Sequence, residues 1–467
     1  MSDRGSGKRF WNRQRQRASA TAAVAAIVLS ASALSAEPIP PGWLAQNLQP
    51  IGYIDMEHRH AFKLALKQQD RRWYLFTSYA AEPGTTGRPG ALVVIDVTDP
   101  MRPKRIKEIL GPPGTDMGQV SLHGDLLVTN LQQFVSRETM AAPARANPPG
   151  GPDEGIVLWN IRDAANPVQV GRWKTGAYGT HRNSYPGGRY VYATAARPGF
   201  RGMMLTIIDV TDPAQPREVS HWYQPGQPAT ERPPAGQTLG SFHGPAMVSP
   251  DGKMLVMGYT PSVVNLDISD IAHPRLMGSL SLIPPFPDTG AQSVHTVVPY
   301  WARGLLYVSG EARFPMCSKG ELIELQAMVD NKDPAHPHLL SIFPVPQPPK
   351  ALGIDSFCAR PGRFGPHNIS TEIHNPDVAP PNSLIHVAYF NAGLWVYDIS
   401  DPRSPTSVGY FIPADSPQPE RSQTGMGTTF IAQDTATDTR GNIYLVGSGG
   451  LYILRDSGAL SGRTLAR

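Results

Sequence analysis

Short apolar runs rich in Val, Ile and Leu recur along the chain, and each ends in a polar turn marked by proline. The stretch Ala91–Pro103 (ALVVIDVTDPMRP) sets the pattern: an apolar strand, an Asp, Ile or Val, Ser or Thr, then Asp-Pro and a second Pro before an apolar strand returns. It recurs from Gly155 (GIVLWNIRDAANPVQVGRW), Met204 (MLTIIDVTDPAQPREVSHW), Ser262 (SVVNLDISDIAHPRLMGSL) and Gly393 (GLWVYDISDPRSPTSVGYF), with a degenerate copy from Glu321. Continuous β-branched runs predict strands covered on both faces. Proline cannot donate to a ladder, so the Asp-Pro and the later Pro predict the turn between strands.

Further strands are predicted upstream of the copies, at Trp73–Ser78, Tyr190–Thr194, Met254–Tyr259, Leu305–Ser309 and Leu384–Phe390, each with another before it. Four strands per unit at a period of roughly 40–60 residues predict propeller blades. Units begin near His60, Asp116, His181, His243, His295 and His367. A shorter seventh comprises Thr428–Asp434, Asn442–Gly447 and Leu451–Arg455. Its missing strand is expected from residues 48–55, which read like Ser404–Phe411. The expected fold is therefore all-β: a seven-bladed β-propeller over residues 37–467, closed by an N-terminal strand so that no sheet edge is left open.

The repeated strand resembles the LVIVD repeat, and residues 48–456 resemble the LVIVD-repeat propellers of bacterial export. More distantly, a seven-bladed propeller with a histidine-lined centre is similar to the selenium-binding protein and methanethiol oxidase family, which implies copper-dependent oxidation. The chain lacks the Cys-Gly-Pro stretch that those proteins carry near their start. Carotenoid-cleaving oxygenases are another seven-bladed group, with iron held by four axial histidines.

The N-terminus changes the picture of location. A basic segment, Arg4–Arg17, precedes an Ala-rich apolar run, Ala18–Ala36, that ends in small residues ahead of Glu37-Pro38. This is the layout of a signal peptide over residues 1–36, so a periplasmic or secreted protein is expected. No other stretch is long and apolar enough to span a bilayer, and no stable membrane insertion is expected. The net charge of +4 includes the basic leader, so the remainder is near neutral and nucleic acid is not an expected partner. In an oxidising compartment Cys317 and Cys358, the two cysteines, are expected to form a disulfide.

Candidate chemistry rests on histidine phase. His60, His181, His243, His295 and His367 each open a first strand, while Asp116 stands near that phase in the second unit. First strands are innermost in a propeller, so these side chains are expected to ring the central channel. Converging neutral imidazoles suit a transition metal, copper or iron ahead of zinc. The alternative is a set of channel-lining polar residues bonded to water and carbonyls. His60 lies across the Asp116 unit from the others, as a fifth ligand or an outer partner. Glu311 and Glu372 are candidate catalytic proton carriers, and Tyr178, Arg182, Phe242 and Phe364 flank the histidines. His123 is expected to face solvent. Long Pro- and Gly-rich loops, 137–154, 224–240, 284–292, 344–366 and 412–427, are expected over the channel mouth.

The function expected is an exported metal-dependent oxidoreductase, oxygenase chemistry included, acting on a small-molecule substrate. The alternative is a non-catalytic binding or assembly propeller, with a metal-dependent lyase or hydrolase as a weaker third. No Gly-x-Ser-x-Gly nucleophile motif accompanies the histidines.

Overall fold

The computed structural model describes residues 36–81, 88–233, 239–286, 292–318, 325–416 and 427–460. The expected leader, up to Ser35, and parts of three of the five expected mouth loops, 224–240, 284–292 and 412–427, lie outside these residues. Strands form six antiparallel sheets arranged as a β-propeller. Four of them follow the expected units closely, one sheet each for Val120–Trp173, Thr180–Trp222, Ser241–Ser281 and Gln292–Ile342. A fifth combines Leu384–Ala388, Leu394–Asp398 and Thr406–Ile412 with the N-terminal strand Leu44–Gln46.

The sixth sheet corrects the expected count of seven blades. It has six strands, because the 22-residue strand Leu48–Gln69 belongs to both the first and the last predicted units. Its first half pairs with Ile443–Asp456 (Leu48 opposite Asp456, Ile54 opposite Leu451), and its second half with Arg72–Tyr79. The two halves meet at a register break between Asp55 and His60, where Glu57 and His58 take left-handed φ of 59° and 53°. Residues 48–55 thus pair with the chain's last strand as expected, but they splice two units together rather than complete a separate blade.

The repeat makes physical sense at two positions. The Asp or Asn that ends each apolar strand accepts a bond from the backbone N–H two residues on: Asp96 from Thr98, Asn160 from Arg162, Asp209 from Thr211, Asp267 from Ser269, Asp330 from Lys332 and Asp398 from Ser400, at 2.8–3.0 Å. This turn consumes a donor that the ladder no longer needs. In the outer strand a Gly or Ser recurs, because the Pro-bearing turn of the next unit lies directly against it. A Cβ on Gly171 would meet the Pro213 carbonyl at 1.8 Å. Where the residue is Ser, its hydroxyl donates to that turn instead, Ser220 to Ile271 O and Ser341 to Pro402 O, both at 2.6 Å.

Between units, apolar faces interlock. Phe76, Leu92 and Val94 pack with Leu127, Val157 and Trp159, and Val128 and Leu158 pack with Val191 and Ile208. Each interface is a small core, so stability is spread over the units. Cys317 and Cys358 are disulfide-bonded with Cα atoms 5.4 Å apart, as expected. The bridge ties the segment after strand Leu305–Glu311 to the loop that leads to His367. Among the described residues no helix is long and apolar enough to cross a membrane.

Candidate metal centre

The inner strands are irregular where the axial side chains sit. Pairing slips between Thr180 and Asn183, which lets His181 and Arg182 turn inward, and again between Gln292 and Thr296, beside His295. His243 lies between two short strands, Ser241–Phe242 and Met247–Val248, and is followed by Gly244. A Cβ there would meet His295 O at 2.0 Å, so only glycine lets these segments approach. His367 lies outside any strand, with its N–H bonded to Ala388 O at 2.9 Å. Such breaks re-aim side chains in an otherwise regular ladder.

These imidazoles form a continuous arc. Ring centroids are 4.7 Å apart for His181 and His243, 4.4 Å for His243 and His295, and 5.0 Å for His295 and His367. Glu311, at the end of the strand Leu305–Glu311, reaches the same spot. Its carboxylate lies 3.4 Å from His295 Nε2 and 3.9 Å from Nε2 of both His243 and His367. His243, His295 and Glu311 offer ligand atoms all within 4.8 Å of one another. Arg363 Nη1 donates to the other face of the site, to Glu311 Oε1 at 2.7 Å.

Burial holds all four rings neutral. Each histidine is pushed well below its ordinary pKa, first by loss of solvent and then by neighbouring positive charge. Hydrogen bonds fix the tautomers of the two outer rings. His367 Nδ1 lies 2.8 Å from Gln433 O, which can only accept, so Nδ1 carries the proton and Nε2 the lone pair. His181 Nδ1 lies 2.7 Å from Gln132 Oε1, with the same consequence. His243 Nδ1 is buried without a hydrogen-bond partner among the described residues. The Nε2 lone pair of His367 therefore faces the Glu311 carboxylate at 3.9 Å, and acceptors so placed repel unless a cation or proton lies between them. The donor set suits a transition ion.

One feature works against a dication. Arg182, 2 % exposed, places Nη1 3.3 and 3.4 Å from the two ring nitrogens of His295. Its further partners are Thr296 Oγ1 at 3.0 Å and Asn368 Oδ1 at 2.6 Å. Burial draws its pKa down to about 10, with Asp434 and Glu311 opposing.

The other expected site residues stand apart. His60 is kept from the arc by Phe62, whose ring centroid is 5.8 Å from His60 and 5.6 Å from His367. The reason is a slip between Ala61 and Leu64. Thr77 donates to Lys63 O as Thr194 donates to Arg182 O, so Phe62, rather than His60, holds the place of His181. Glu372 is buried elsewhere, accepting from Leu122 N at 3.2 Å, and burial raises its pKa to about 7. Asp116 accepts from Ala81 N at 3.3 Å, and burial raises it to about 6. His123 does not face solvent freely: Nδ1 is 3.1 Å from His374 O. Phe364 packs against Phe357 and Tyr389 in the core, while Phe242 does wall the site.

A cavity of 230 Å³ opens over His181, His243 and Glu311. The short helix Arg137–Ala141 brings Met140 to it, and the loop 344–366 brings Arg363, as the expected mouth loops require. Arg313 and Arg363 were not foreseen, because irregular loops carry no period from which a direction is read. Nor was the buried pair of Lys63 and Asp434, 2.9 Å apart, which fills the matching place in the six-stranded sheet.

Comparison with known proteins supports the repeat and assigns no activity. The LVIVD repeat family matches residues 199–223 and 384–412. No curated protein matches the chain. Similar solved structures include a candidate 6-phosphogluconolactonase from Bacteroides uniformis, 11% identical, with a TM-score of 0.49 over 78% of this chain and 86% of that one. A second candidate 6-phosphogluconolactonase, from Bacteroides fragilis, is 10% identical, with a TM-score of 0.48 over 83% and 95%. A protein from Lactobacillus plantarum is 12% identical, with a TM-score of 0.48 over 84% and 94%. The selenium-binding resemblance finds no support among them.

Proposed function

We propose that this chain is an exported metal-dependent oxidoreductase whose centre is held by His243, His295 and Glu311, with His181 and His367 flanking. The observation that carries the reading is the convergence of the Nε2 atoms of three neutral imidazoles on one carboxylate at 3.4–3.9 Å. Copper or iron bound there would supply one-electron chemistry and an open position for oxygen or substrate. The chain's own contributions are distinct. Gln132 and the Gln433 carbonyl hold the outer imidazoles in one tautomer. Arg363 orients Glu311, so the proposed role of Glu311 moves from proton carrier to ligand. Tyr178, with Phe242 and Met140, walls the cavity and limits water.

Export and a periplasmic or secreted location belong to the same proposal. They draw on the Arg4–Ala36 leader pattern and on a disulfide of the kind that persists in oxidising compartments.

A second reading, a metal-free binding propeller, is favoured by Arg182, whose buried charge against His295 opposes a cation. Elemental analysis of the purified protein separates the two. The proposal predicts stoichiometric copper or iron, lost in His243→Ala and His295→Ala while the circular dichroism spectrum is kept. Metal-free wild-type protein that cannot be reconstituted would leave the binding reading.

A further inference from the structure

The cavity above the histidine arc is divided by chemistry. Met140, Met203 and Phe242 give it an apolar side, and Arg313 and Arg363 give it a cationic one. At 230 Å³ it has room for a small molecule. Glu311 is the one carboxylate among its lining residues, and Arg363 Nη1 already holds it at 2.7 Å. Arg363 has a further donor: its Nε–H is buried and lacks an acceptor among the described residues. The guanidinium lies 4.1 Å over the Phe390 ring, which fixes its plane. The loop that carries it is tethered by the Cys317–Cys358 bridge to the segment that carries Arg313. Two guanidinium groups against one carboxylate leave the lining positive, and the planar fork of a guanidinium suits a carboxylate.

We propose that this cavity binds a small organic anion, a carboxylate on a short apolar body, with the carboxylate on Arg363 and Arg313 and the body against Met140, Met203 and Phe242. The proposal names a substrate class for the site assigned above and rests on that site being the reaction centre. The positive field is consistent with it, since His243 feels Arg182, Arg313 and Arg363 together.

Butyrate and its uncharged match butyramide are the probes, titrated calorimetrically into wild type, Arg363→Lys and Arg313→Gln, each before and after dialysis against EDTA. Arg363→Lys keeps the charge and loses the Nε–H, and unchanged thermal melting shows that each variant is folded. The expected result is saturable butyrate binding, at least about tenfold weaker in Arg363→Lys and in Arg313→Gln, as loss of a charge-assisted bond requires, with butyramide much weaker throughout. Equal binding of butyramide, no binding of butyrate to wild type, or affinity unchanged in both variants would overturn it. Metal content measured on the same samples separates this inference from the one before. Arginine-dependent binding that survives EDTA supports the anion site whatever becomes of the metal. Binding lost with the metal and indifferent to both arginines overturns the anion site and leaves the metal standing.

Discussion

Two regions of the molecule share one backbone device and use it differently. In the sheets from Thr180 to Ile412, the break at the inner strand turns histidines onto the axis, and neutral rings gather round Glu311. In the six-stranded sheet, corresponding breaks between Ala61 and Leu64 and between Ala432 and Asp434 turn in Phe62, Lys63 and Asp434. One region is left with neutral imidazoles around a carboxylate and a cavity. The other is closed by an ion pair, with Leu64 N–H completing the Asp434 carboxylate at 3.0 Å. The frame sets where a side chain points, and the residue type decides whether that place can offer a ligand atom or only joins neighbouring strands.

If the second region is structural, breaking its ion pair gives the largest loss of stability. Asp434→Leu leaves Lys63 buried without its partner and is expected to cost about 3–5 kcal/mol in chemical denaturation, most of it recovered in Lys63→Met/Asp434→Leu. Metal content is expected to remain. Metal lost from the folded Asp434→Leu protein, to the extent seen in His295→Ala, would show that the two regions are not separable.

A smaller effect is expected at Glu372, which lies near Lys63 and away from the histidines. Its folded pKa is raised from 4.5 to about 7, so the folded state holds its proton more tightly than the unfolded chain does. That contribution is complete below pH 4.5 and fades as pH rises to about 7. Glu372→Gln should remove this fall and gain about 1–3 kcal/mol over wild type above pH 7. Identical pH–stability curves for the two proteins would contradict it.

The smallest effect sharpens the comparison most. Phe62 stands where His181 stands and already touches His367, so Phe62→His extends the arc into the structural region. Metal affinity is expected to rise by about tenfold in competition with a chelator, or about 1.4 kcal/mol. Unchanged affinity would mean that the two breaks are not equivalent.

Much of the fold was legible because the repeat encodes contacts. The Asp or Asn of each turn and the Gly or Ser of each outer strand are there for bonds and approaches that recur. The blade count was not legible, since residues 48–55 and the run from His60 read as parts of two separate units, whereas the single strand Leu48–Gln69 carries both. The further slip between Ala61 and Leu64 displaced His60: a phase counted along the sequence fails when a slip intervenes. His181, His243, His295 and His367 were found because each begins a unit. Arg363 and Arg313 come from segments without a period, placed by the disulfide and by the strand that ends at Glu311.

The most direct measurement is a crystal structure of the purified protein with anomalous data collected on both sides of the copper and iron edges. A single strong peak bounded by His243 Nε2, His295 Nε2 and Glu311, at about 2.0–2.2 Å from each, is the expected result. Crystals of reconstituted protein with no peak among these residues, and with Arg182 and ordered water filling the space, would contradict the metal centre.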